Sequence, residues 1–441
     1  MPNNNFVLLD DICHFEKGTT GLAKAIPGEY PLVTTGANRK TCENFQFDKS
    51  AVCIPLVSST GHGHASLKYV HYQKGKFALG TILVALTSKN ENILDIQFLH
   101  LYLFQLKNQI LVPLMSGAAN VSLSIKKIKK IEIPLPSIER QKQIVNNFNL
   151  IEMEDKELRK ELIHQETILK KLRQQILQEA IKGKLTQDWR KENPDVESAS
   201  ELLKRIKLEK AHLIKEKEIK KQKLLPPITE DERTFEITEN WKWCRLGEIC
   251  EIKGGKRVPS GHSLKNEITP YKYARVLNLF DNTIKGDIKF LSEDAWLKVK
   301  RYEISKDNLY VTIAGTIGRS GTVPEEHDKI ILTENSSKLC FYLMIPLLKT
   351  FLALCLNSSF IQDQFKKKVY GMAMPKLALK RIKTTRIPLP PLSEQKVIAV
   401  KVEKLFAICD ELEKEINENK IHSEQLMQSV LREAFEGTES V

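Results

Sequence analysis

The sequence contains no CxxC pair. Its eight cysteines stand singly, at Cys13, Cys42, Cys53, Cys244, Cys250, Cys340, Cys355 and Cys409. That scatter excludes a zinc ribbon and a vicinal redox couple, and it fits reduced intracellular thiols. No GxxxxGK[ST] loop is present to cradle a phosphate. No GxGxxG follows a strand-like run, and neither HExxH nor GxSxG occurs. NPDV (193–196) fails as an NPPY-type methyltransferase tetrapeptide because its third residue is Asp195. Without a nucleophile, base or cofactor loop, the chain is not expected to be a catalyst, and no metal or cofactor is expected on it. Aromatic residues make up only 7%, with no interleaved stacking pattern, which disfavours single-stranded nucleic acid as a ligand. The most apolar run, FYLMIPLLKTFLALCL (341–356), is broken by Lys349 and Thr350. It is too short to span a bilayer and reads as a buried helix. His62, His64 and His71 in GHGHASLKYVH read as loop histidines near a turn rather than a metal site. MPNNNFVLLDD lacks the basic and apolar regions of a signal peptide, so a cytoplasmic, membrane-free protein is expected.

What is abundant is positive charge. Lys and Arg number 68 against 55 Asp and Glu, a net +13, and the pI is near 9.1. That excess suits a polyanion, most simply nucleic acid. A length of 441 residues implies two or three domains, and 41% hydrophobic residues suffice for ordinary cores.

The chain also repeats itself. IPLPSIERQKQI (133–144) and IPLPPLSEQKVI (387–398) agree at seven of twelve positions with an offset of 254. The same offset carries SLSIKKIKK (122–130) onto KLALKRIKT (376–384), and ILQEAIKG (176–183) onto VLREAFEG (430–437). A constant offset over some sixty residues marks two copies of one rigid element. Upstream, LDDICHFEKG (9–18) matches LGEICEIKGG (246–255) at an offset of 237, so the second variable segment is 17 residues longer.

After each IPLP, whose prolines exclude a helix interior, an apolar seam runs at alternating four- and three-residue spacings. In the first copy it includes Ile144, Ile151, Leu158, Leu162, Leu169 and Ile176. In the second it includes Ile398, Leu405, Leu412, Ile416, Leu426 and Val430. Asp155, Gln165 and Asn419 are polar at seam positions. Two helices, each about 65–70 Å long at 1.5 Å per residue, are expected to pair as an antiparallel coiled coil that holds two globular heads apart. The organisation expected is a globular domain at 1–132, a helix at 133–183, a basic linker at 184–240, a second globular domain at 241–386 and a second helix at 387–441. In the linker, KRIKLEKAHLIKEKEIKKQK (204–223) has weak helical periodicity and reads first as a solvated face.

Both globular segments mix short β-rich runs, such as AVCIPLVSS and NLYVTIAGTIG, with a later helix near 97–112 or 346–367. They read as α+β domains with twisted sheets. Basic residues sit where loops should be: Arg39, Lys40, Lys256, Arg257, Arg275 and Arg319. Arginine can pair bidentately with guanine, so these are candidate DNA-binding residues. Lys127 and Arg381, beside the helices, are candidates for phosphate contact.

Two variable α+β segments, each followed by a shared helix opened by IPLPxxxEQK-like text and closed by LxEAxxG, resemble the specificity subunit of a Type I restriction–modification enzyme. ENWKWCRLGEICEIKGG (239–255), IPLPPLSEQK (387–396) and VTIAGTIG (311–318) are similar to phrases of its second target-recognition domain. The resemblance spans nearly the whole chain. It implies that each target-recognition domain reads one half of a split double-stranded DNA site while the paired helices set the gap. It also implies docking of two modification subunits, which bind S-adenosylmethionine and methylate adenine. Restriction subunits carrying ATP and Mg2+ would join them for translocation and cleavage. Ser137 and Arg140 depart from Pro391 and Glu394 of the second copy, and no functional loss is expected from that. Two rivals stand beside this reading: a specificity subunit for a fused Type II restriction–methylation enzyme, and a coiled-coil scaffold that binds no DNA.

Overall fold

The first and last strands of each globular segment close on one another. Phe6–Leu8 pairs antiparallel with Glu132–Pro134, and Lys242–Arg245 pairs antiparallel with Arg386–Leu389. The IPLP prolines therefore lie at strand ends, where a missing N–H is tolerated. A computed structural model of the chain describes residues 6–60, 63–118, 120–369 and 375–436.

Between those closing strands the two segments share one topology. In the first, one sheet has the order Cys13–Lys17, Leu83–Ser88, Ala51–Pro55, His71–Gln73, and the other Lys40–Cys42, Tyr30–Val33, Lys76–Leu79, Phe47–Asp48. In the second, the orders are Cys250–Gly254, Ser336–Phe341, Leu309–Thr312, Ser320–Thr322 and Lys289–Phe290, Lys272–Ala274, Ile330–Leu332, Glu303–Ile304. Each segment has a parallel strand pairing at the same place: Leu32 opposite Ala78 and Tyr273 opposite Ile331. The duplication seen in the sequence thus extends through the divergent regions, and the class is α+β.

Alternation explains the core. Val52, Ile54, Val84 and Leu86 pack with Phe98, Leu99 and Leu103 of the helix Ile96–Gln105. Their neighbours Ala51, Cys53, Leu83 and Ala85 turn to the opposite face, against Phe47, Phe77 and Leu79. Strands covered on both faces read as unbroken apolar runs, which is why AVCIP and LVAL do. Asp95 starts the helix, its Oδ1 accepting from the Gln97 and Phe98 amides at 2.7 and 3.1 Å. In the second segment the run 341–356 is not one helix. Ser336–Phe341 is a strand, and the helix begins only at Pro346, whose fixed φ suits a first turn.

The echo at offset 237 has a steric cause. A Cβ on Gly18 would lie 2.1 Å from the Gly80 carbonyl oxygen, and one on Gly255 would lie 2.1 Å from that of Thr333. Both glycines sit beside the end of the parallel strand that follows, where no side chain fits.

The long helices span Ile138–Ile181, 44 residues, and Leu392–Glu436, 45 residues. Gly183, at φ 73°, ends the first in a left-handed cap. The repeated glutamines tie each helix start to its IPLP. Gln141 donates to the Pro136 carbonyl at 2.8 Å, and Gln395 to that of Pro390 at 2.9 Å.

The chain forms two compact units, Met1–His164 with Ile416–Val441, and Gln165–Glu415. In the second, Arg173 meets Asp410 at 2.5 Å while Arg190, further on, meets Glu394 at 2.5 Å. The partner helix therefore runs antiparallel there. In the first, the Ser423 hydroxyl donates to the Asp155 carboxylate and Arg159 faces Glu424 at 3.7 Å. Of the expected seam, Ile144, Leu162, Leu169, Ile176, Ile398 and Ile416 are buried, and Ile151, Leu405 and Val430 are half-buried. Leu158, Leu412 and Leu426 are not in a closed seam: they are 42%, 41% and 60% exposed. At their levels charged side chains bridge the helices, and a two-helix pair offers a leucine only one partner surface. Gln165 and Asn419 are also exposed, whereas Asp155 is held by its seam partner Ser423.

Within residues 184–240 the basic run lies largely in a helix. Ala199–Lys215 is a helix that buries Ala199, Leu202, Leu203 and Ile206. The basic run thus has an apolar face as well as a solvated one.

Candidate nucleic-acid interface

Most of the basic residues that composition singles out already have partners. Arg39 fastens its own loop: Nε donates to Gln73 Oε1 at 2.9 Å, Nη2 to the Tyr72 carbonyl at 3.1 Å, and Nη1 lies 3.2 Å from His71 Nδ1. Burial, with the Arg39 and His100 charges behind it, pushes His71 down to about 4 and keeps it neutral. Arg39 thus occupies the Nδ1 side of the ring, and among the described residues no group of three or more His, Cys, Asp or Glu side chains is placed to hold a metal ion. His64 is exposed, and His62 lies outside the described residues. Lys127 donates to the Leu114 carbonyl at 2.8 Å and to Ser116 Oγ at 3.2 Å. Arg381 donates to the Lys368 carbonyl at 2.6 Å. Arg257, although 80% exposed, pairs with Glu334 at 2.8 Å. Lys256 stands 5.8 Å from the centre of the Tyr302 ring. Lys40 is exposed and has no side-chain partner among the described residues.

Arg275 and Arg319 come together. Both line an open cavity of about 880 Å³ in the second globular segment, with Leu277, Phe280, Asn282 and Asn335. Its floor is the sheet carrying Tyr310, whose hydroxyl donates to the Thr283 carbonyl at 2.7 Å. Its rim is a hairpin, Leu279–Phe280 against Thr283–Ile284, closed by Asp281 and Asn282 at φ 48° and 60°. Two successive left-handed residues of the Asp/Asn type make the turn that matches strand twist. Arg275 is tied down, its Nη2 donating to the Asp287 carbonyl at 2.6 Å and lying 3.2 Å from the Asp287 carboxylate. Arg319 is exposed, and its guanidinium has no hydrogen-bond or ion-pair partner among the described residues.

Two sets of residues escaped the sequence reading. Asn282 and Asn335 reach the cavity by tertiary folding; only the Asp-Asn turn signal hinted at the first. Glu394 was read as a harmless difference between the copies, yet it is buried and joins three elements. It accepts from Thr186 Oγ1 at 2.6 Å, from Arg190 Nη1 at 2.5 Å and from Trp241 Nε1 at 2.7 Å. Those bonds fix the linker start and the entry to the second segment against the second long helix. Arg140, its counterpart in the first copy, is exposed.

The chain uses one topology twice, with different loops. The Type I restriction modification DNA specificity domain family matches residues 1–165 and 238–420, and the chain belongs to that family. It is 30% identical over 253 residues to the Type I restriction enzyme EcoEI specificity subunit of Escherichia coli, a match covering 55% of this chain and 41% of that subunit. It is 26% identical over 437 residues to the EcoDI specificity subunit of Escherichia coli, covering 93% of this chain and 82% of the relative. Among solved structures, one described as concerning complex assembly and conformational transition of the type I R-M system superposes with a TM-score of 0.66 at 16% identity. That match covers 98% of this chain and 97% of the other, and shows a shared fold. Among the described residues no helix is long and apolar enough to cross a membrane.

Proposed function

We propose that this chain is the DNA-specificity subunit of a Type I restriction–modification complex and reads a bipartite, asymmetric site in double-stranded DNA. Residues 1–132 and 241–386 are its two target-recognition domains, and 133–183 and 387–441 the helices that set the unread gap. The reading rests above all on one observation: both halves carry the same strand order, yet their loops differ in length and chemistry. Equal scaffolds suit two equivalent docking surfaces for modification subunits. Unequal loops suit two different half-sites. The net +13 charge suits the phosphate backbone. Apolar side chains left exposed on the long helices, including Leu150 at 60%, Met153 at 65%, Ile168 at 49% and Ile408 at 54%, suit coverage by those partners. Catalysis, S-adenosylmethionine, ATP and Mg2+ belong in this reading to the modification and restriction subunits, in a cytoplasmic assembly.

The test is the adenine methylome of a host expressing this chain with its methylase, against a strain lacking this chain alone. A split, asymmetric motif that vanishes in the deletion supports the reading. An unchanged methylome with an active methylase overturns it. Exchanging residues 1–132 for those of another family member should replace one half-site and leave the other and the gap intact.

A further inference from the structure

Arg319 stands apart from the other candidate arginines, each of which has an acceptor for its guanidinium, and its backbone is rigidly held. The Arg319 carbonyl accepts from the Thr312 amide at 2.8 Å. Before it, Gly318 is left-handed at φ 89°, and its carbonyl accepts from Gln362 Nε2 at 2.9 Å. Gln362 is itself anchored to the Leu356 carbonyl at 2.7 Å. A loop fixed in this way presents a long cationic side chain without having to order its backbone on binding.

The surrounding chemistry suits a base edge rather than a phosphate. Asn335 is fixed by its main chain, its carbonyl accepting from the Ile313 and Ala314 amides at 2.7 and 3.2 Å, which leaves its side-chain amide for the cavity. Asn282 is held likewise, its carbonyl accepting from the Thr322 amide at 2.9 Å. Thr316 Oγ1 is buried and has no partner among the described residues. Among the described residues lining the cavity the one carboxylate, Asp281, is paired with Lys285 at 2.7 Å, so it does not compete for Arg319. Leu277, 59% exposed, and Phe280 give the wall an apolar side. A planar fork of donors beside amides and an apolar wall matches a purine edge in the major groove.

We infer that Arg319 is a specificity-determining residue: it reads a guanine, through O6 and N7, within the half-site of the second globular domain. This rests on the function proposed above and adds to it a base and a residue. The strand register aligns Tyr69 with Arg319, through Val52 opposite Tyr72 and Leu309 opposite Thr322. The two heads therefore present different chemistry at one position, and the guanine belongs to one half-site only.

The test uses the complex with its methylase, wild type and with Arg319→Ala or Arg319→Lys. Methylomes are compared, together with binding to the cognate duplex, to duplexes substituted at each G·C pair of the second half-site, and to duplexes with 7-deazaguanine there. The wild type should prefer one guanine by between about fivefold and 150-fold. Arg319→Ala should lose that preference at this position, keep the first half-site and ignore the 7-deaza substitution there, and Arg319→Lys, which lacks the planar fork, should keep only part of the preference. A phosphate contact would instead survive in Arg319→Lys, and Arg319→Ala would weaken all duplexes equally. That outcome, or an unchanged motif in both variants, overturns the inference. If Arg319→Ala fails to assemble, the Arg319→Lys ratio decides. A wild-type complex that reads no motif at all would instead sink the proposed function.

Discussion

The two globular segments share their strand order but not their loops. Between the strands ending at Val33 and starting at Lys40 the first has six residues, 34–39. The equivalent stretch of the second, 275–288, has fourteen and builds the Asp281–Asn282 hairpin. After Pro55 the balance reverses: 56–70 connects the first pair of strands, and the shorter 313–319 the second. The difference teaches where evolution can edit such a domain. A central strand covered on both faces tolerates little change in volume, whereas a loop at a sheet end tolerates insertion at small entropic cost. One head thus gains a hairpin beside Arg319. The other carries Tyr69 at that register position, stacked on His71 at 5.7 Å between ring centres.

The same comparison can be broken at three levels. The largest effect is expected at a shared-element position where the two copies differ in charge, Arg140 and Glu394. Glu394→Ala should destabilise the fold by about 3 kcal/mol, because it strands the Arg190 charge and the buried Trp241 indole N–H. Arg140→Ala, at the matching exposed position, should change stability by less than about 0.5 kcal/mol. Denaturant unfolding of both variants measures the difference, and equal costs would contradict the anchoring role. Next, Gly18→Ala and Gly255→Ala should each cost about 2–3 kcal/mol, since a carbonyl stands where the methyl would go. A large cost at one glycine only would mean that the two close approaches are not equivalent.

A third contrast separates the two domains by pH. His71 has its counterpart in Gly321, so only the first domain carries this group. Its folded-state pKa of about 4 lies below the ordinary 6.5. Stability from keeping it neutral is therefore complete above pH 6.5 and is lost as pH falls towards 4, by at most about 3 kcal/mol. His71→Gln should flatten that slope when unfolding of the first domain is followed between pH 7 and 4. An identical slope in the variant would assign it to other groups.

The seam shows how far local pattern reading reaches. Residues such as Ile144, Leu162 and Ile176 were legible because a heptad fixes which side of a helix an apolar residue faces. Leu158, Leu412 and Leu426 have the right spacing but stand exposed, because spacing does not say whether a partner surface closes over them. The basic residues failed in the same way. A loop position makes arginine available in principle, but Gln73, Glu334, Asp287 and the carbonyls of Leu114 and Lys368 are brought in by folding.

Sequence alone determined the duplication, the two long helices, the α+β class and the family resemblance. Each is carried by patterns of apolar, proline and glycine residues whose meaning is local or repeats at a fixed offset. The tertiary structure decided which charges are available. Arg39 and Arg319 look alike in a sequence, but one guanidinium is spent on a strand and a neutral histidine while the other faces an open cavity. An arginine's availability depends on which acceptors lie within about 3 Å of it, and residues 32 to 34 positions away, such as His71 and Gln73 around Arg39, meet it only once the sheet has formed.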